Sequence, residues 1–208
     1  MEKTLDKFDL INNENERVIA NILHDIKSPL YSIKIALQTK LDNELNRDIY
    51  ETASEIIKYI ENFLSDYNFK TGKYEIEPVE CDVREIINKK IENYKYLFMN
   101  KNIHISVLDE AGKTYKIKTV KAFLSSIIGN IISNIAFHAE ENQEAIIKLE
   151  KRKDCVFINF QNSYLNQEKN FSLGLEFCEK LSKIIKTDLK FNKTKNSVKV
   201  DLKVPYLI

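Results

Sequence analysis

The sequence predicts an α+β protein, in which a long N-terminal helical hairpin is followed by an α/β sandwich. Two patterns predict it: apolar residues recur at three-and-four spacing through most of the first seventy positions, and beyond residue 73 shorter segments alternate between the strand period and the helical one. Composition agrees, since 208 residues with 43% hydrophobic and 30% charged side chains describe an ordinary folded chain of one large or two small domains.

The first helix is predicted over about 10 to 41, where Val18, Ile19, Ile22, Ile26, Leu30, Ile33 and Leu37 form an amphipathic stripe. After the turn-like Asp42 and Asn43, a second pattern at Ile49, Ala53, Ile56, Ile60, Phe63 and Tyr67 steps like a heptad seam. A lone hairpin leaves much of such a stripe in water, so a homodimer completing a four-helix bundle is expected. Periodicity stops around Lys70-Thr71-Gly72-Lys73, which places a boundary between domains 1–72 and 73–208.

The second domain begins with a short alternating segment at Tyr74, Ile76 and Pro78. Asp82 with Glu85 reads as a capping box opening a helix through Ile86, Ile87, Ile91, Tyr94 and Leu97. A strand follows at Ile103, Ile105 and Val107, then a helix over about 119 to 139 carrying Phe123, Ile127, Ile131 and Ile135. Strands at Ala145-Ile147-Leu149 and Val156-Ile158-Phe160, a helix near 173 to 186, and strands near 188 to 193 and 197 to 204 complete the order β-α-β-α-β-β-α-β-β. The longest stretch without a pattern runs from Asn162 to Asn170.

Charge and composition exclude several functions. Thirty-two basic against 31 acidic residues give +1, no field to attract nucleic acid or an anionic membrane. No apolar run approaches the roughly 20 residues of a membrane span, and the polar start is no signal peptide, so a cytoplasmic protein is expected. Cys81, Cys155 and Cys178 are odd in number and far apart, which argues against a disulfide framework or a cysteine metal site. Only four glycines are present, so any nucleotide site must be poor in glycine.

With Ile22 as zero and about 100° per residue, the apolar stripe of the first helix spans about −40° to 80°, and His24 falls near 200°. An imidazole there faces solvent, where it can meet an incoming group. Pro29 in mid-helix removes an N–H from the Asp25 carbonyl and is expected to bend the helix beside His24.

The segment His24-Asp25-Ile26-Lys27-Ser28-Pro29-Leu30 resembles the phosphoacceptor box of two-component sensor histidine kinases. The resemblance implies that His24 takes a phosphoryl group and that Asp25 polarises the ring or accepts its proton. Ser28 stands where relatives carry Thr or Asn to position a dephosphorylating water, which leaves phosphatase activity open. Residues 74 to 208 are similar to the family's ATP-binding domain. In Asn130-Ile131-Ile132-Ser133-Asn134 the family's N box is recognisable, with Asn134 implied as the Mg²⁺ ligand, although Phe137 replaces a usual Lys. The adenine-reading Asp is replaced by Asn162, and its two following glycines by Tyr164 and Asn166, which compromises the pocket. Gly174 alone survives from the second glycine box, and the segment between the N box and this remnant is too short for a lid.

His104 and His138 are expected to have surface roles. The eight lysines from Lys180 to Lys203 are expected to form a solvated basic face. The resemblance and its selective losses imply a two-component protein in which His24 exchanges phosphoryl groups with a response-regulator aspartate, with little or no ATP binding. The receiver domain would dock partly through Ile26, Lys27, Tyr31 and Ile56, and an upstream kinase would supply the phosphoryl group. One alternative is an active kinase using Mg-ATP held by Asn130, Asn134, Asn162 and Gly174. Another is a noncatalytic scaffold or inhibitor of a two-component partner.

Overall fold

The computed structural model describes residues 2–38, 40, 43–73, 76–109, 114–163, 172–194 and 196–206, with side chains described from residue 16 and, after the gap that ends at 171, from residue 175. The chain divides into two compact units, Met1–Glu75 and Ile76–Ile208.

The first unit is an antiparallel pair, α1 (Glu2–Leu37) and α2 (Glu44–Lys70). Helix α1 begins earlier than its apolar pattern suggests and continues through Pro29. Asn43 caps α2, its side chain accepting from the Asn46 N–H at 2.8 Å. At the other end Gly72, with φ +68°, lets the chain fold back. Its N–H donates to Phe69 O and that of Lys73 to Asn68 O, satisfying carbonyls the helix leaves open.

Both helices divide their apolar residues between two faces. Ala20, Leu23, Leu30 and Leu37 turn toward α2 and are buried or half-buried, together with Lys27 and Lys34. Tyr50, Ala53, Ile57, Ile60 and Tyr67 are buried in return. Val18, Ile19, Ile22, Ile26 and Ile33 on α1, and Leu45, Ile49, Ile56, Tyr59 and Phe63 on α2, stay exposed. The single predicted seam of α2 is therefore two: Ala53, Ile60 and Tyr67 pack against α1, while Ile49, Ile56 and Phe63 do not.

In the second unit, β1 (Val79–Asp82) leads into α3 (Val83–Asn93), α4 (Lys95–Asn100) and β2 (His104–Leu108). Then follow β3 (Lys116–Thr119), α5 (Lys121–His138), β4 (Glu144–Lys151), β5 (Cys155–Ser163), α6 (Ser172–Ile184), β6 (Asp188–Lys193) and β7 (Ser197–Pro205). Five strands form one sheet in the order β2-β4-β5-β7-β6, and β1 pairs with β3 in a two-stranded ribbon. Within the larger sheet β2 runs parallel to β4, and the other pairs are antiparallel.

The core lies between α5 and the sheet. Phe123, Leu124, Ile127 and Ile128 are fully buried, as are Ala145, Ile147, Val156, Ile158, Leu202 and Val204. Helix α5 also touches α3 and α6, which accounts for its apolar residues on nearly every side.

Three expectations need correction. The helix expected from Asp82 through Leu97 breaks at Tyr94, whose N–H donates to Ile91 O at 3.0 Å. The turn reorients the chain so that the adjacent Leu97 and Phe98 both reach the core. Strand β3 was not predicted because Lys116-Ile117-Lys118-Thr119 contains one apolar residue; Ile117 and Thr119 are nevertheless its buried face. The patternless stretch also starts too early, since Asn162 and Ser163 belong to β5.

Candidate functional site

His24 and Asp25 are adjacent on α1, with side chains 80% and 87% exposed, and the imidazole Nδ1 lies 3.8 Å from Asp25 Oδ1. That separation is an electrostatic contact rather than a hydrogen bond. At about 100° per residue, His24 lies about 80° from the line of α1 that faces α2 and about 170° from the exposed apolar stripe. Ser28, one turn on, shares the exposed flank of His24. Its carbonyl accepts from Ser32 Oγ at 3.3 Å.

On the same flank a polar cluster joins the two helices. Glu61 of α2 pairs with Lys27 Nζ at 3.0 Å and accepts from Tyr31 Oη at 2.8 Å. The Lys27 ammonium lies 5.5 Å from the Tyr31 ring centroid. Ile26 and Ile56 belong instead to the exposed apolar faces. The four residues expected to meet a receiver domain thus fall on two surfaces of the hairpin. Neither the spacing within α1 nor the phosphoacceptor box points to Glu61. Its signal is the antiparallel register, centred near residues 43–44, that also sets Lys70 3.3 Å from Glu16.

In the second unit a pocket opens between α5, α6 and the β5-β7-β6 part of the sheet. Its wall is largely apolar, with Ile131, Ile135, Phe160, Leu175, Val198 and Val200. Asn134 and Asn162 both line it. The alternation of β5 turns Asn162 inward with Val156, Ile158 and Phe160, and its Nδ2 donates to Ser163 O at 2.9 Å. Asn130 is not part of the wall; it is buried, with Nδ2 donating to Ser126 O at 3.2 Å. Gly174 lies in the first turn of α6, and Tyr164 and Asn166 fall outside the described residues, as does the 164–171 part of the segment expected to lack a lid.

His138 also lines this pocket, one turn beyond Asn134, as do Asn192 and Lys193. The i, i+4 spacing from Asn134 is the signal that could have placed His138 there rather than at the surface. His104, by contrast, is exposed at the start of β2. Among the described residues, no group of three or more His, Cys, Asp or Glu side chains is arranged to hold a metal ion. No described helix is long and apolar enough to cross a membrane.

No family model matches the chain. It is 30% identical over 159 residues to the sensor protein KdpD of Clostridium acetobutylicum, covering 69% of this chain and 17% of that one. The sensor histidine kinase RcsC of Escherichia coli is 23% identical over 199 residues, 82% of this chain and 21% of its own. The chain belongs to the two-component sensor histidine kinase family. Solved structures share its fold. The histidine kinase AdeS of Acinetobacter baumannii superimposes with a TM-score of 0.62 at 10% identity, over 88% of this chain and 98% of that one. Full-length ShkA in complex with AMPPNP gives 0.63 at 13%, over 91% and 46%. The chain spans about a fifth of the length of these curated relatives.

Proposed function

We propose that the chain is a phosphotransfer protein in which His24 exchanges a phosphoryl group with the aspartate of a response-regulator receiver domain. The observation that carries this reading is the accessibility of the imidazole beside Asp25, on a flank turned away from the exposed apolar stripe. The Asp25 carboxylate nearest Nδ1 favours the tautomer that keeps the proton there, which leaves the Nε2 lone pair free. Nε2 attacks the phosphorus of the aspartyl phosphate, an N–P bond forms, the acyl O–P bond breaks, and the regulator's carboxylate leaves with the electron pair. The product imidazolium keeps its Nδ1 proton opposite Asp25. Ser28, on the same flank, would orient a water for dephosphorylation.

The apolar stripes of the two antiparallel helices are rotated in the same sense from their mutual contact, so they join into one face. Ten large apolar side chains on that face exceed what a monomer ordinarily leaves in water. A second copy covering it would make a four-helix bundle with both His24 rings outside.

A second reading, autophosphorylation with Mg-ATP, is favoured by the pocket, where Asn162 would meet a base and Asn134 would reach a metal on the phosphates. Mg²⁺ there would neutralise phosphate charge. Asn134 is the only N-box asparagine in the wall, and an amide replaces the adenine-reading carboxylate, so we rank this reading second.

The test is labelling of the wild-type chain and His24→Gln. Receiver domains charged with ³²P-labelled acetyl phosphate should label the wild type and leave His24→Gln unlabelled, while γ-labelled Mg-ATP labels neither. Label from ATP on wild type alone would establish the kinase instead. Equal labelling of both proteins by the receiver would remove His24 from the chemistry.

A further inference from the structure

Resting on the phosphoacceptor reading of His24, we infer that Glu61 is a positioning residue that governs the lifetime of phosphorylated His24 by competing with the phosphoryl group for the Lys27 ammonium. Lys27 follows His24 by three positions, so the two are neighbours on the surface of α1. Helical side chains lean toward the N-terminus, which carries the Lys27 stem back over the turn that holds His24. The ammonium is instead drawn across to α2, 3.0 Å from Glu61 Oε1. That oxygen also accepts from the Tyr31 hydroxyl at 2.8 Å, which fixes the carboxylate in place.

The Lys27 and Glu61 side chains are 29% and 40% exposed, so the pair is neither sealed in the core nor fully hydrated. Such a pair is held weakly enough to exchange partners. A phosphoryl group on His24 brings close to two negative charges and three acceptor oxygens within reach of the same ammonium, against one charge on Glu61. Lys27 then has two stations, Glu61 when the ring is bare and the phosphoryl group when it is loaded. Pairing with the ammonium favours the loaded form, and Glu61 opposes it. Tyr31 remains on Glu61 in both states, so the carboxylate keeps one donor after the lysine leaves.

The experiment loads the full chain with phosphoramidate, from which Nε2 of His24 takes the phosphoryl group as the P–N bond breaks and ammonia departs. The decay of acid-labile phosphate is then followed, with His24→Gln as the blank. Glu61→Gln should lengthen the half-life of the phosphorylated protein about two- to fivefold, the worth of one partly exposed charge pair. Lys27→Met should shorten it by a similar factor. The double variant Lys27→Met/Glu61→Gln should match Lys27→Met alone, because Glu61 acts through the lysine. Ile60→Val, which loosens the buried hairpin contact without touching either charge, separates this from a general loss of packing and should leave the half-life within twofold of wild type. Equal half-lives for wild type and Glu61→Gln would overturn the inference while leaving His24 as the acceptor. Loading no greater than that of His24→Gln would overturn the phosphoacceptor reading, and this inference with it.

Discussion

Gly72 ends α2 at a φ of +68°, with nothing within 4 Å of the place where a Cβ would stand. The cost of a side chain there is therefore conformational and not steric. Gly72→Ala should lower the stability of the hairpin by roughly 1–2 kcal/mol, read as a lower urea midpoint with an unchanged slope. Asn162 presents the opposite case, a position where backbone and burial are ordinary and the chemistry has changed. Its strand alternation still aims it into the pocket, but an amide has replaced the carboxylate expected from the family. The substitution removes a charge and adds an amide donor, which bonds Ser163 O.

At the scale of the element, α1 places two lysines on the line that faces α2. Lys27 is matched by Glu61. Lys34 is half-buried with its ammonium 5.6 Å from the Tyr50 ring centroid, and burial lowers its pKa below the usual 10.5 although the Glu61 charge pulls the other way. Between its folded-state pKa and 10.5 the unfolded chain holds more protons at this site, so the penalty Lys34 imposes shrinks as pH rises. Lys34→Met, which keeps the apolar stem and removes the buried charge, should raise the denaturant midpoint at pH 7. The gap between variant and wild type should narrow when the same transition is measured at pH 10. A wild-type midpoint above that of the variant at pH 7 would show that the cation's contact with Tyr50 outweighs desolvation.

For the whole molecule the exposed apolar face of the hairpin is the dominant fact. Fully covering a large apolar side chain is worth about 1.5–3 kcal/mol, so a face of ten partly exposed ones has ample driving force for self-association. Light scattering at micromolar concentration should give twice the chain mass for the wild type. The double variant Ile22→Glu/Ile56→Glu, which places charge in the middle of both stripes, should scatter as a monomer with its helical circular dichroism largely retained. A monomeric wild type would remove the dimer.

Much of the architecture was legible in the order of residues because burial imposes periodicity. The helical stripes of the hairpin, the alternating strands of the sheet and the almost wholly apolar α5 follow from which side chains must leave water. The phosphoacceptor segment and the family it points to were legible as well, since seven consecutive residues carry them. Elements whose formation depends on partners were not. Strand β3 exists because β1 pairs with it, and the break at Tyr94 exists because Leu97 and Phe98 must both be buried. The division of each apolar stripe into a covered and an uncovered face was equally invisible, because one period fits both. Tertiary structure alone decided which side chains meet across elements: Glu61 with Lys27 and Tyr31, and His138 with Asn162 in one pocket. A sequence records the preferences of each segment, whereas an encounter between residues far apart in the chain depends on the register in which those segments pack.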